Sequence, residues 1–157
     1  MPNDLRRHVL LDTNVLVAAV DPRELDRAHS AIAVVRSLVS ADRAAVTPPI
    51  IAEYYDVTTR PKGPLRPVFS RAEAAESVEE ILSACECVDL TLATLMEAVR
   101  GAIAHQMRIY DAHVWAAAKV NSIPYVVTED TPSRPVVEGV RYVDPFTEAF
   151  DLAHIGL

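Results

Sequence analysis

The chain has 157 residues, 15 basic and 22 acidic side chains, a net charge of -7 and an isoelectric point near 5.2, and half of it is hydrophobic. This fits one domain over residues 1–157 with a sizeable core and excludes a chain held open by disorder. No uncharged apolar run nears the roughly 20 residues that span a bilayer, the stretch 9–20 is broken by Asp12 and Asn14 and is no signal-peptide core, and Cys85 and Cys87 are too few for a disulfide framework or a complete zinc site. A soluble, reduced, cytoplasmic protein is expected, and its acidity argues at first against a nucleic-acid partner.

In chain order, HVLL at 8–11 reads as a short buried strand that ends at Asp12. Thr13 or Asn14 can cap a short helix over 15–20. Ala28, Ile32, Val35 and Val39 recur at helical spacing and predict a helix over 25–39. AAV at 44–46 is a second strand. Pro48 and Pro49 suit the first turn of the next helix, which Pro61 stops after Arg60. Pro61, Pro64 and Pro67 alternate with Arg60, Lys62 and Arg66, so 60–67 is expected to be a stiff, exposed, basic connection. Ser70 and Glu73 have the spacing of a capping box that opens another helix. A strand over 86–90, a helix over about 91–106, an alanine-rich helix from Asp111 to about Asn121, a strand over 124–128 and a last strand over 139–143 complete the series. Alternating strands and helices specify an α/β sandwich with a mainly parallel sheet.

This order places four acids without further information. Ligands of parallel α/β sheets bind beyond the carboxyl ends of the strands. Asp12 and Asp130 each follow a strand directly. A helix leading into a parallel strand starts at that same edge, which places Asp111 there, and Glu53 lies early in the helix that leaves 44–46. Each has an ordinary reading alone: a cap for Asp12, a macrodipole acid for Asp111, a turn acid for Asp130. Glu53 falls between Ile50 and Val57 on an apolar face, where an unpaired carboxylate is costly to bury. The convergence of all four on one rim is the stronger observation.

Clustered carboxylates repel, so without compensation at least one stays protonated at neutral pH. Hard divalent cations such as Mg²⁺ and Mn²⁺, which prefer carboxylate oxygen and water, remove the conflict. Two such ions would offset four of the seven net negative charges, so the acidity no longer excludes a phosphate-bearing substrate. A carboxylate-held ion pair about 3.5–4 Å apart is a standard arrangement for phosphodiester hydrolysis.

The segments LDTNVL (11–16), TPPIIAE (47–53), YDAHVWAAA (110–118) and TED (128–130) resemble, in order and spacing, the PIN-domain nucleases; with VRYVDPF (140–146) they look most like the VapC toxins of type II toxin–antitoxin pairs. The resemblance covers nearly the whole chain. It implies a three-layer α/β/α fold and a metal-dependent endoribonuclease, commonly a homodimer, neutralised by a small VapB-like antitoxin. Asp12, Glu53, Asp111 and Asp130 match the family's acidic metal-site positions, and Asn14 and Thr128 its polar supporting positions. Glu129 adjoins Asp130, and the sequence leaves open which of them reaches a metal; Asp130 is the expectation.

Other candidates carry less. His113 lies about 200° around a helix from Asp111, so the two point apart. Cys85 and Cys87 read as small hydrophobes, and Trp115 with its alanines as core or dimer surface. Arg60, Lys62 and Arg66 are candidate phosphate contacts. A haloacid-dehalogenase-like phosphatase needs a second Asp where this chain has Asn14, and a receiver domain needs a lysine after a late strand, which is lacking. The remaining alternative is a catalytically silent PIN-like scaffold that binds RNA or a partner protein.

Overall fold

Val9, Leu10 and Leu11 are fully buried, as a strand needs to be when helices cover both faces of a parallel sheet. In the computed structural model, which describes residues 4–157, they form β1 (Val9–Leu11). The other strands are β2 (Ala44–Val46), β3 (Glu86–Cys87), β4 (Tyr125–Val127), β5 (Val136–Val137) and β6 (Val140–Val143). They make one six-stranded sheet in the order β3-β2-β1-β4-β6-β5, parallel except for β5 against β6.

The helices are α1 (Thr13–Val20), α2 (Leu25–Ser40), α3 (Pro48–Thr59), α4 (Arg71–Ala84), α5 (Leu92–Ala104) and α6 (Ile109–Val120). The path β1 to β2 to β3 steps one way across the sheet, so right-handed crossovers put α1 to α4 on one face. The return from β3 to β4 steps back and puts α5 and α6 on the other. Helix contacts follow this division: α1 packs on α2 and α3, α3 on α4, and α5 on α6. The result is a three-layer α/β/α sandwich. Its direction of winding reverses between β1 and β4, which opens a crevice at their carboxyl ends. Among the described residues no helix is long and apolar enough to cross a membrane.

Several boundaries differ from the sequence expectation for physical reasons. The cap of α1 is Asp12 rather than Thr13 or Asn14, because its carboxylate accepts the Thr13 N–H at 2.8 Å. Helix α6 starts at Ile109, two residues before Asp111, with Arg108 as its cap. The strand expected over 86–90 is only Glu86–Cys87, although the Val88 N–H still donates to the Val46 carbonyl at 2.8 Å. In α2 the fully buried row is Ala31, Val34 and Leu38; Ile32, Val35 and Val39 flank it, one position off the expected stripe. Strand β6 matches the last strand expected, but its hairpin partner β5 was not expected, since a two-residue strand carries little pattern; the turn between them takes positive φ at Glu138 (45°) and Gly139 (88°). Residues 60–67 are exposed as expected, but a tight turn with paired Lys62 and Leu65 backbones shapes them. Cys85 and Cys87 are free and half-buried, and burial pushes the Cys85 thiol up to about 11, which keeps it protonated at neutral pH.

Helix α6 is held by Trp115, which is fully buried and donates its indole N–H to the Val137 carbonyl at 3.1 Å. Gly101 of α5 lies against this ring: a Cβ there would stand 2.3 Å from it, so only glycine permits the approach. Arg100 and Lys119 lie over the ring; Glu97 and Glu138 bind Arg100 (2.7 Å each), Lys119 binds both acids, and His105 meets Glu138 at 2.7 Å. Hydrogen bonds from Arg100 first and Lys119 second hold both carboxyls down to about 2. Because these values lie below the ordinary carboxyl value of 4.5, the network's contribution to stability is complete above that pH and is lost as pH falls toward 2. Glu138→Gln should therefore melt at a lower temperature than the wild type at pH 7, and the two curves should converge as the pH is lowered. A melting difference that persisted undiminished at low pH would exclude the ionised network as its cause.

Candidate active site

Four chain segments meet at the β1/β4 crevice. Asp12 leaves β1, and besides the Thr13 N–H it accepts the Thr128 hydroxyl on Oδ2 at 2.8 Å. Thr128, fully buried at the end of β4, accepts from the Asn14 side-chain amide at 2.9 Å and from the Asp130 N–H at 3.1 Å. Asn14 also donates to Asp130 Oδ2 at 3.3 Å and accepts the Glu129 N–H at 3.3 Å. The Thr13 hydroxyl donates to Glu53 Oε2 at 2.7 Å, linking α1 to α3. Asp12, Glu53, Asp111 and Asp130 all line one cavity of about 320 Å³.

Glu53 is exposed in this cavity and its carboxylate is hydrogen-bonded, so the expected desolvation on an apolar face does not arise. Burial raises the Asp12 carboxyl above its ordinary value, hydrogen bonds from Thr128 and Thr13 oppose this, and repulsion from Glu53 and Asp130 adds to it. Asp111 is raised by partial enclosure and by Asp130 and Glu53, against the nearby Arg108. Tyr142, behind the site, is raised by burial and by the charges of Asp111 and Asp12. The acids thus feel one another. Among the described residues, no three His, Cys, Asp or Glu side chains are gathered closely enough to hold an ion as arranged. The donors are nevertheless all oxygen, the chemistry a hard cation selects, and Glu53 and Asp111 are both exposed to the cavity.

Glu129 lines the same cavity but is paired there with Arg27, which also binds Glu24 at 3.1 Å and lies 4.3 Å over the Phe146 ring. Of the basic trio, Lys62 lines the acid cavity, Arg60 pairs with Asp56 at 3.1 Å, and the Arg66 carbonyl accepts from Arg23 at 3.3 Å. His113 lines a neighbouring cavity instead of the acid one. Sequence reasoning missed Thr13 as a partner of Glu53, and also Arg27 and Tyr142. A hydroxyl directly after Asp12 was the one available signal for Thr13; the other two are brought in by tertiary packing alone.

The family model described as PIN domain matches residues 9–132. The chain belongs to the PIN-domain family. Solved structures share the fold of this PIN domain at low identity. A toxin–antitoxin complex from Klebsiella pneumoniae matches with TM-score 0.63 and 16% identity over 87% of this chain and 97% of that one. VapBC2 from Rickettsia felis, bound to a DNA fragment from its promoter, gives 0.62 and 14% over 86% and 96%. VapC20 of Mycobacterium tuberculosis, described as a sarcin-ricin loop cleaving toxin, gives 0.54 and 15% over 75% and 86%. No curated protein sequence matches the chain.

Thr128 and Asp12 share a hydrogen bond but differ in charge, and so should differ in their effect on stability. Thr128→Val strips Asp12, Asn14 and Asp130 of a shared partner and should cost about 1–3 kcal/mol. Asp12→Asn can keep the helix cap on its one oxygen and removes a repelling charge, which offsets the lost acceptor of the Thr128 hydroxyl, so its cost should be smaller than that of Thr128→Val. Urea unfolding at pH 7 checks both; equal losses in the two variants would contradict this arrangement.

Proposed function

We propose that this PIN domain is a divalent-metal-dependent endoribonuclease and the toxin half of a VapBC-type toxin–antitoxin pair, with Asp12, Glu53, Asp111 and Asp130 as its metal-holding acids. The observation that carries this is the cavity at the β1/β4 crevice where Asp12, Glu53, Asp111 and Asp130 converge from separate segments, with Thr13, Asn14 and Thr128 bonded to three of them; the other two acids that line it, Glu24 and Glu129, are paired with Arg27. The descriptions of the structural relatives, two toxin–antitoxin complexes and one loop-cleaving toxin, support the same reading.

Bound Mg²⁺ or Mn²⁺ would supply an activated water and charge stabilisation for the leaving oxygen. The chain's own residues orient and charge the site. Thr128 and the Thr13 N–H fix both oxygens of Asp12, Thr13 aims Glu53, and Asn14 holds Asp130, as outer groups do around metal-binding carboxylates. The commitment of Glu129 to Arg27 supports Asp130 as the fourth acid. Lys62 in the cavity wall, with Arg60 and Arg66 on the same turn, supplies local attraction for RNA that a net charge of -7 lacks. A VapB-like antitoxin inserting a basic side chain into the acid cavity would be favoured by charge complementarity. A homodimer is part of the proposal, supported by the exposed apolar row Leu92, Leu95, Met96 and Ile103 along α5 and checked by the mass in solution. The separation of the acids into fewer than three per candidate ion favours the second reading, a silent scaffold.

Two measurements decide between them. Mn²⁺ at about 100 times its dissociation constant should stabilise the native protein by about 2.7 kcal/mol, and Asp12→Asn should remove the shift. Asp12→Asn and Asp111→Asn should each abolish RNA cleavage, and a chelator should stop the wild type, with no requirement for Zn²⁺. A Mn²⁺ shift without any cleavage would leave the scaffold reading standing, and full activity in either variant would sink the site.

Neutralising Arg60, Lys62 and Arg66 together should weaken single-stranded RNA binding and flatten its salt dependence by about 0.7 for each phosphate that is no longer neutralised, up to about 2 in all. An unchanged slope would reduce these residues to a structural turn.

A further inference from the structure

A second cavity of about 550 Å³ opens beside the acid cavity and shares Glu53, Tyr110, Asp111 and Val114 with it. The walls of the two differ in kind. The first is lined largely by carboxylates and their polar partners, while the second adds Pro49, Ile50, Ala52 and Leu90, with Arg108 and His113 as its basic groups and Asp56, paired with Arg60, as its one further acid. Its volume lies in the range of small-ligand pockets, roughly 300–1,000 Å³. Tyr110 stands on the wall common to both and is 82% exposed, so its ring contributes almost nothing to the core. An exposed aromatic ring beside an apolar recess and a guanidinium is the chemistry that receives a nucleobase and its phosphate.

The geometry points to a nucleotide subsite: a base of single-stranded RNA next to the cleaved phosphodiester stacks on Tyr110 within the second cavity, and Arg108 meets its phosphate. This rests on the ribonuclease reading, because the shared residues Glu53 and Asp111 are what join the recess to the reaction site. Continuity with that site is also why the occupant is a nucleotide rather than a partner's apolar side chain. Tyr110 is a positioning residue, acting on how the RNA lies.

The test uses the full chain carrying Asp12→Asn and a single-stranded RNA oligonucleotide with 2-aminopurine at one scanned position. At one position the base fluorescence should be quenched on binding. Tyr110→Phe should keep the quench and the affinity. Tyr110→Ala should lose the quench and bind about 10- to 100-fold more weakly, the range base–aromatic stacking supports. Arg108→Gln should keep the quench but flatten the salt dependence by about 0.7. Each variant's melting temperature is read alongside, and the Phe variant decides if the Ala variant is destabilised. Identical quench and affinity in Tyr110→Ala overturn the subsite; if the wild type with Mn²⁺ still cleaves RNA, the proposed function survives that result. RNA binding with a Tyr110-dependent quench but without cleavage upholds the subsite as a binding site and overturns the nuclease. No RNA binding at all overturns both.

Discussion

Strands β1 and β4 lie side by side in parallel, with Val9, Leu10 and Leu11 opposite Tyr125, Val126 and Val127. That pairing brings Asp12 and Thr128, 116 residues apart in sequence, to 2.8 Å. Side chains alternate between faces, so a slip of one residue would turn both away from each other. The register is protected because almost every residue of the two strands is fully buried and a slipped pairing would expose them. Everything else at the site hangs from this contact. Helix α1 begins at Asp12, its first residue Thr13 reaches across to Glu53 on α3, and its second, Asn14, reaches to Asp130 beyond β4.

The arrangement carries an electrostatic cost that neutral donors moderate. Asp12 is partly buried among like charges, and its carboxyl is raised accordingly. Hydroxyls and amides stabilise ionised carboxylates without neutralising them, so the cluster keeps its charge available for a cation. A basic side chain in the place of Thr13 or Asn14 would lower the repulsion and compete for the same oxygens. Arg27, which also lines the cavity, binds Glu129 and leaves Asp130 to Asn14.

Asp111 arrives by a different route. It stands on α6, on the opposite face of the sheet from α3, and its position depends on how closely α6 can approach α5. Gly101 makes that approach possible against Trp115, one turn along from Asp111, and the ion network over the ring holds the two helices and the β5–β6 turn together. Packing on the far side of the sheet therefore sets the distance across the cavity between Asp111 and Glu53.

Periodicity, proline placement and chain order were enough to determine the alternating α/β plan, the single parallel sheet and the fact that Asp12, Glu53, Asp111 and Asp130 come to one rim. These follow from local rules: apolar triplets are buried strands, Pro48 and Pro49 open a helix, and parallel strands put their carboxyl ends together. The sequence could not show that Asp12 caps its own helix, that α6 starts before Asp111, or that a two-residue strand, β5, folds back on β6 at the sheet edge, because such short elements carry almost no pattern. Nor could it separate Glu129 from Asp130. Adjacent acids are equivalent in one dimension, and only Arg27, folded in from α2, and Asn14, from α1, draw them to different partners. Hydrogen-bond direction, the exposure of Glu53 and the second cavity under Tyr110 belong to the tertiary structure for the same reason: each depends on distances between side chains that are remote in the chain.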